Sequence, residues 1–205
     1  MSVFRSPFEH HDFKGGLDSA LVYYLLRKYG RVDSKVFDQF PGGNVVKEVC
    51  DSLGFTYSRT DFPTEIAQHL PSVSDSFMDL VLSHPPYWTA IHYTDDPKDL
   101  CNCPSYDTYL KELEKSILEA ERILSPSGYF LLIAGDLRKD KELTLVHSDL
   151  YQLIESNFQN LTLRDDILWE LSSSSTPFIS TEWLIQATHC LIYQKIGTDI
   201  NRVFE

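Results

Sequence analysis

The 205-residue chain has no stretch approaching the ~20 consecutive apolar residues of a membrane span, so no membrane-embedded segment is expected. Its start, Met1-Ser2-Val3-Phe4-Arg5-Ser6-Pro7, lacks the apolar run of a signal peptide, and the cytoplasm is the expected location. Cysteine is sparse. Cys50, Cys101, Cys103 and Cys190 are scattered, and the one Cys-x-Cys pair has no further Cys or His at ligand spacing. That argues against both a zinc site and a disulfide framework, and leaves four reduced thiols and no metal. His10 and His11 have no third ligand to join them and read as solvated loop residues. No internal repeat is visible, and the one low-complexity run, Ser172 to Pro177, reads as a mobile turn. Positive charge is also short, with 18 Lys and Arg against 30 Asp and Glu for a net charge of −12. A protein that grips DNA alone usually presents a basic surface, because counterion release from phosphates supplies most of the nonspecific affinity. The acidity lies mainly beyond residue 34 and leaves three options: a local basic cleft, a partner that supplies the DNA grip, or no DNA binding.

What is present suits a compact enzyme-sized unit. At 42% hydrophobic and 13% aromatic, the chain can bury one sizeable core, and residues 1–205 read as a single domain. Strand and helix patterns alternate, as in a parallel sheet covered on both faces. Leu17 to Leu26 carries apolar residues at helical spacing, and Lys35 to Phe40 reads as a first strand. Gly42-Gly43 would turn it into a helix from about Val45 to Leu53, and Phe55 to Ser58 reads as a second strand. The stripe Tyr106, Tyr109, Leu110, Leu113, Ile117, Ala120 and Leu124 defines a long amphipathic helix, ended by Ser125-Pro126-Ser127-Gly128. Tyr129 to Ala134 is a continuous apolar run of the buried-strand kind. A helix around Leu150 to Ile154 and a final antiparallel pair, Leu163 to Trp169 and Ala187 to Tyr193, complete the pattern.

The run most suggestive of chemistry is Asp79-Leu80-Val81-Leu82-Ser83-His84-Pro85-Pro86-Tyr87-Trp88, an apolar strand that ends in two prolines and two aromatics. Two prolines fix φ and remove two backbone donors, leaving nearby carbonyls free to accept from something other than the protein's own ladder. A planar amine could use them while its ring stacks on Tyr87. The plainer reading is a strand exit whose prolines merely stop the strand. A second place for a ligand is the turn after Phe40, where a glycine bend and a helix N-terminus favour close approach and a carboxylate.

With these residues the chain resembles the S-adenosylmethionine-dependent amino methyltransferases that act on adenine N6 or cytosine N4 of DNA. Their mark is Asp, Asn or Ser, then Pro-Pro and an aromatic; here the first position is His84. Arg122 to Tyr129 resembles the family's helix-end turn into a buried strand, Gly135 to Lys139 the polar segment after it, and Ile167-Leu168-Trp169 and Thr188 to Tyr193 its last strands. Val36 to Asn44 resembles the cofactor loop Asp-Pro-Phe-x-Gly-x-Gly, with Gln39 in place of proline and Asn44 in place of the last glycine. The resemblance spans roughly residues 10 to 195. It implies an α/β, Rossmann-like fold: a mainly parallel sheet with a C-terminal antiparallel strand and helices on both faces. It implies S-adenosylmethionine lying across Asp38, Phe40, Gly42 and Asp61, the last accepting from the ribose hydroxyls or standing for the acid of a missing third strand. It implies a flipped base on Tyr87, its amine held by His84 and the Pro85 carbonyl, with His84, Pro85, Pro86 and Tyr87 as the catalytic set. A neutral His84 would then accept from the amine, with an acid limb near the ordinary histidine pKa of ~6.5. The Ala90 to Cys103 loop would lie over the pocket. Adenine and cytosine are not separated. DNA is the implied partner, with RNA or a protein glutamine as other acceptors of related enzymes, and target recognition falls to short loops, a partner subunit or a homodimer. The other reading keeps the fold without catalysis, as a methyltransferase-like subunit that contacts nucleic acid or an active partner.

Overall fold

The computed structural model describes residues 2–5, 16–139, 141–170 and 187–197. His10, His11 and the Ser172 to Pro177 run lie outside them. The strands, in chain order, are β1 (Ser2–Arg5), β2 (Lys35–Asp38), β3 (Thr56–Arg59), β4 (Met78–Ser83), β5 (Leu124–Gly135), β6 (Leu137–Lys139), β7 (Glu142–Thr144), β8 (Leu161–Glu170) and β9 (Ala187–Lys195). The helices are α1 (Ser19–Tyr29), α2 (Val45–Leu53), α3 (Tyr106–Ile123) and α4 (Val146–Asn157). Seven strands form one sheet in the order β1-β8-β9-β5-β4-β2-β3, and β6 and β7 make a separate hairpin. Every pairing in the large sheet is parallel except those of β9, which lies antiparallel between β5 and β8.

The unbroken apolar character of β5 follows from its position. Phe130, Leu132 and Ala134 pack on one face with α3 residues such as Tyr109, Leu113 and Ile117. Leu131 and Ile133 pack on the other with Leu21, Leu25 and Val46 of α1 and α2. A strand buried on both faces has no solvent side to alternate toward. Helix starts are set locally. Asp18 accepts from the Ala20 amide at 2.7 Å to open α1, two residues later than the apolar pattern suggests, and Ser105 caps α3 through the Thr108 amide at 3.2 Å. Such caps stabilise a helix by ~1 kcal/mol each.

Two elements differ from expectation. β1 adds an edge strand beside β8, tied by Arg5 to Glu170 at 2.6 Å; four residues with little periodicity gave no sequence signal. The polar segment Gly135 to Lys139 contains β6, which pairs with β7 just beyond it in a hairpin. Between β3 and β4, residues 60–77 form turns with no helix or sheet strand, which leaves β3 at the sheet edge. Arg122 holds this short connection against α3 through the carbonyls of Leu70 (2.8 Å) and Val73 (2.9 Å) and the carboxylates of Asp75 (2.6 Å) and Glu119 (2.7 Å). The strands stay parallel, but the direction in which the connections progress across the sheet reverses between β2 and β4: β2 leads outward to β3, and β4 returns on its other side. The crevice beyond the carboxyl ends of β2 and β4 is therefore the switch point at which open α/β sheets place their ligands.

Candidate active site

A cavity of about 680 Å³ opens at that crevice. One wall is the turn after β4, with His84, Pro85, Pro86 and Tyr87; the other is the β2 to α2 connection, with Asp38, Phe40, Gly42, Gly43 and Asn44. Tyr93, Thr94, Lys98, Asp99 and Leu100 from the loop before α3 also line it, as the resemblance implies for that loop. The loop is better packed than its polar sequence suggests: Leu100 and Cys101 are buried, and the Asn102 amide donates to the carbonyls of Thr94 and Asp96, both at 2.8 Å.

The turn after β4 is closed by its own aromatics. The Tyr109 hydroxyl and the Trp88 amide donate to the Pro86 carbonyl at 2.8 and 2.9 Å. The Pro85 carbonyl accepts no hydrogen bond among the described residues. Trp88 adopts φ 41, a costly conformation for a bulky residue, and is fixed there by its indole N–H on the Cys103 carbonyl at 2.9 Å and its ring against Tyr106. His84 Nε2 and the Tyr87 hydroxyl are 2.7 Å apart, with the rings edge-on. That contact already engages the Nε2 that could have received an amine, leaving Nδ1 for a ligand. Burial lowers the His84 pKa to about 4, well below the sequence expectation of ~6.5. The neutral ring therefore persists throughout the ordinary pH range, and an acid limb at the ordinary histidine value is not expected.

On the opposite wall Asp38 is 2% exposed. Among the described residues its carboxylate accepts only from the Phe40 amide at 3.3 Å and the Tyr57 hydroxyl at 3.4 Å, and burial raises its pKa to about 7 against the opposing field of Arg59. Gln39 was not foreseen as a cavity residue. It is 1% exposed and donates to the Ser116 carbonyl at 2.9 Å, while its Oε1 has no partner among the described residues. The only signal in the sequence was a glutamine where the resemblance has proline. Asn44 caps α2 at φ −86 and makes no side-chain cap bond, so the left-handed geometry that would favour glycine there is not used. A Cβ on Gly43 would meet nothing within 4 Å, so the connection has open space beside it.

Asp61 is not brought to this site. It is exposed, outside the cavity wall, and accepts from the Thr64 hydroxyl at 3.1 Å; its neighbours Thr60 and Phe62 line the cavity in its place. The reason is the short connection: the chain turns immediately after β3, and Thr60 points inward to donate to the Gln39 carbonyl at 2.9 Å. The four cysteines are free, and no cluster of three or more potential metal ligands occurs among the described residues. No described helix is long and apolar enough to cross a membrane.

The sheet order and the crevice define the Rossmann-like fold of S-adenosylmethionine-dependent methyltransferases. A methyltransferase of that description from Archaeoglobus fulgidus superposes with a TM-score of 0.51 at 13% identity, over 87% of this chain and 95% of its own. A protein from Clostridium thermocellum, provisionally assigned as an rRNA methylase, superposes with a TM-score of 0.54 at 10% identity over 87% and 95%. Likeness at this identity speaks to fold. Residues 78–201 match the N6/N4-type DNA methylase family, and the chain belongs to that family. The matched span contains the His84 to Tyr87 turn and begins after the Asp38 to Asn44 connection. A Thermus thermophilus protein, provisionally assigned as a DNA modification methylase, is 22% identical over 62% of this chain, with a TM-score of 0.45. This chain spans about half of that protein, 48% of its length. No curated protein sequence matches the chain.

Proposed function

We propose that the chain is a DNA amino methyltransferase that methylates the exocyclic amine of adenine (N6) or cytosine (N4), with S-adenosylmethionine as methyl donor. The observation that carries this reading is the meeting, in one cavity, of the Pro-Pro-Tyr turn with a buried carboxylate that forms no ion pair among the described residues. Asp38 suits a cationic group, the unpartnered Gln39 Oε1 suits an N–H donor, and the free amides of the first turn of α2 suit a carboxylate. An amino-acid sulfonium carrying an adenine offers all three, so the residues present fit S-adenosylmethionine. Asp38, Gln39, Phe40, Gly42 and the start of α2 would hold it. Asp61 takes no part in this set. When bound, the group supplies an electrophilic methyl carbon.

The chain's own residues then do the positioning. Tyr87 offers its ring to stack on a base turned out of the duplex, which costs the DNA a few kcal/mol of stacking and pairing. The Pro85 carbonyl, without a hydrogen-bond partner among the described residues, accepts from the amine and turns the amine's lone pair toward the methyl carbon. Phe40 and the 93–100 loop cover the reacting centre and exclude water. We also read residues 1–205 as one domain, with target choice supplied by short loops, a partner subunit or a second copy. RNA as the acceptor and a noncatalytic role beside an active partner are the competing readings. The second draws on the net charge of −12 and on the absence of Asp61 from the cavity.

Calorimetric titration with S-adenosylmethionine decides first. Saturable binding, weakened by Asp38→Ala and Gly42→Leu, supports the enzyme; no heat at millimolar ligand from a folded sample selects the noncatalytic subunit. Transfer of labelled methyl to single-stranded and duplex DNA, set against RNA, then identifies the acceptor.

A further inference from the structure

We propose that His84 is a hydrogen-bond donor to the target base: its Nδ1–H and the Pro85 carbonyl form a donor and acceptor pair that reads the ring nitrogen and the exocyclic amine together. The inference rests on the base-methylating reading above and assigns the polarity of that same site. The Asp, Asn or Ser usual at this position in the resembled motif can accept from the amine, and the geometry here points to the opposite role.

The argument is a count of protons. A neutral imidazole carries one N–H, so the nitrogen that accepts determines the one that donates. His84 Nε2 and the Tyr87 oxygen are 2.7 Å apart. That length suits a hydroxyl donor, whereas N–H···O bonds cluster at ~2.9 to 3.0 Å. A phenol is also the stronger acid of the two groups, and an imidazole nitrogen the better acceptor. Gly135 of β5 lies directly against the Tyr87 ring and hydroxyl, which holds the phenol at this distance from His84. This arrangement depends on Gly135, where a Cβ would come within 2.9 Å of the Tyr87 ring and 3.2 Å of its hydroxyl. With Nε2 accepting, the ring proton resides on Nδ1. Nδ1 makes no hydrogen bond among the described residues, and His84 lines the cavity beside Pro85.

A donor beside an acceptor matches the edge that adenine and cytosine share, an unprotonated ring nitrogen next to an amine. Guanine and thymine carry N–H at the ring position, which would face the His84 N–H and leave two donors opposed. Donation to the ring nitrogen draws the amine lone pair toward the ring. His84 therefore selects and orients the base, and the Pro85 carbonyl favours attack. Tyr87 has two duties: its ring faces the cavity, and its hydroxyl is a positioning group that sets the tautomer of His84.

Nitrogen-15 NMR of histidine-labelled protein reads the tautomer without any substrate. At pH 7 the Nδ1–H form is expected for His84, and Tyr87→Phe should shift it toward Nε2–H; an Nε2–H ring in the wild type overturns the proposal. The second arm uses oligonucleotides with 1-deazaadenine or 3-deazacytosine at the target, which keep the amine and lose the ring acceptor. His84→Ala should lower kcat/KM roughly 10- to 100-fold on the natural base and less than about 3-fold on the deaza base. Equal penalties on both overturn the donor role in an enzyme that is otherwise active. If no base is methylated by the wild type at all, the base-methylating reading fails, and this proposal falls with it.

Discussion

The turn from His84 to Trp88 is closed by hydrogen bonds from Tyr87, Tyr109 and the Trp88 indole, while the connection from Asp38 to Asn44 across the same cavity leaves its most polar atoms short of partners. The framework of the first wall is finished without a ligand, and the Pro85 carbonyl and His84 Nδ1 are the atoms it leaves open. Among the described residues, the second holds a buried carboxylate with two long contacts and an amide oxygen with none. Fold-determined packing builds one wall, so its geometry should survive loss of cofactor. On the other wall, an unpaired buried carboxylate is a cost to the free protein that a cationic ligand would offset. Substitutions on the two walls should therefore separate cleanly into those that alter turnover and those that alter binding and stability.

The largest effect is expected on the finished wall. Tyr87→Ala removes both the stacking face and the anchor of His84. Base stacking on an aromatic is worth ~1 to 3 kcal/mol, and loss of orientation adds to it, so kcat/KM for base methylation should fall by at least about 100-fold. Cofactor affinity should change by less than about 3-fold, because Tyr87 is fixed by β5 and β9 and not by the β2 connection. Filter assays of methyl transfer and calorimetry check the two halves. Turnover equal to wild type would remove Tyr87 from the site, and a parallel loss of cofactor affinity would show that the walls are coupled.

On the unfinished wall, Asp38→Asn should move binding and stability in opposite directions. Cofactor affinity should fall by about 10- to 100-fold, the scale of losing one charged hydrogen-bonding partner. The ligand-free protein should melt several degrees higher at pH 8. The sign follows from linkage. The Asp38 pKa is about 7 in the fold and ~3.9 in the unfolded chain, so the native state binds the extra proton between these values and stability falls as pH rises through that window. Asparagine removes this slope, and saturating cofactor should flatten it in the wild type. Thermal denaturation at pH 5 and pH 8, with and without S-adenosylmethionine, measures it; a wild type with no slope would mean that Asp38 is already paired.

The pH profile of turnover offers a milder comparison. His84 titrates at about 4 in the fold, so its neutral state is complete above pH 5.5. Under saturating cofactor the rate should change by less than about 2-fold from pH 5.5 to 8 on account of His84, falling only as pH approaches its depressed value. The stability contribution has a separate sign: the unfolded chain takes up the proton near ~6.5, so below that pH the folded state loses ground until about 4. A half-maximal rate near pH 6.5 that moves in His84→Asn would show the ring to be more exposed in solution.

Much of the fold was legible because its signals were local. The amphipathic stripe of α3 and the two-sided apolar run of β5 follow from periodicity, and the antiparallel placement of the last pair follows from the family resemblance. The Pro-Pro-Tyr turn was legible for the same reason, since its chemistry lies in consecutive residues. The rest depended on contacts between distant positions. Nothing near residue 61 reveals that Arg122, about sixty residues later, draws the 70–75 turn against α3 and leaves no third strand beside β3. Asp61 was therefore a reasonable local reading that the tertiary path places outside the cavity. Similarly, the depressed pKa of His84 comes from burial, and the seat of Tyr87 beside it comes from Gly135, on a strand that the motif does not contain.

The last comparison concerns DNA itself. Lys98 is the only Lys or Arg among the described residues lining the cavity, and the chain as a whole carries a net charge of −12. Each phosphate neutralised by a protein cation contributes about 0.9 to the slope of log affinity against log salt on duplex DNA. With one or two contacts available near the site, that slope should lie at about −1 to −2, and raising salt from 50 to 200 mM should weaken binding by roughly 4- to 16-fold. Lys98→Gln should flatten it by about 1 while leaving the Asp38-dependent heat of cofactor binding unchanged. Fluorescence anisotropy with a labelled duplex across that salt range measures the slope. A value of −5 or steeper would reveal a basic surface away from this cavity and assign the DNA grip to it. A shallow slope that steepens only when a second protein is added would assign the grip to that partner, leaving this chain the base-holding half of the reaction.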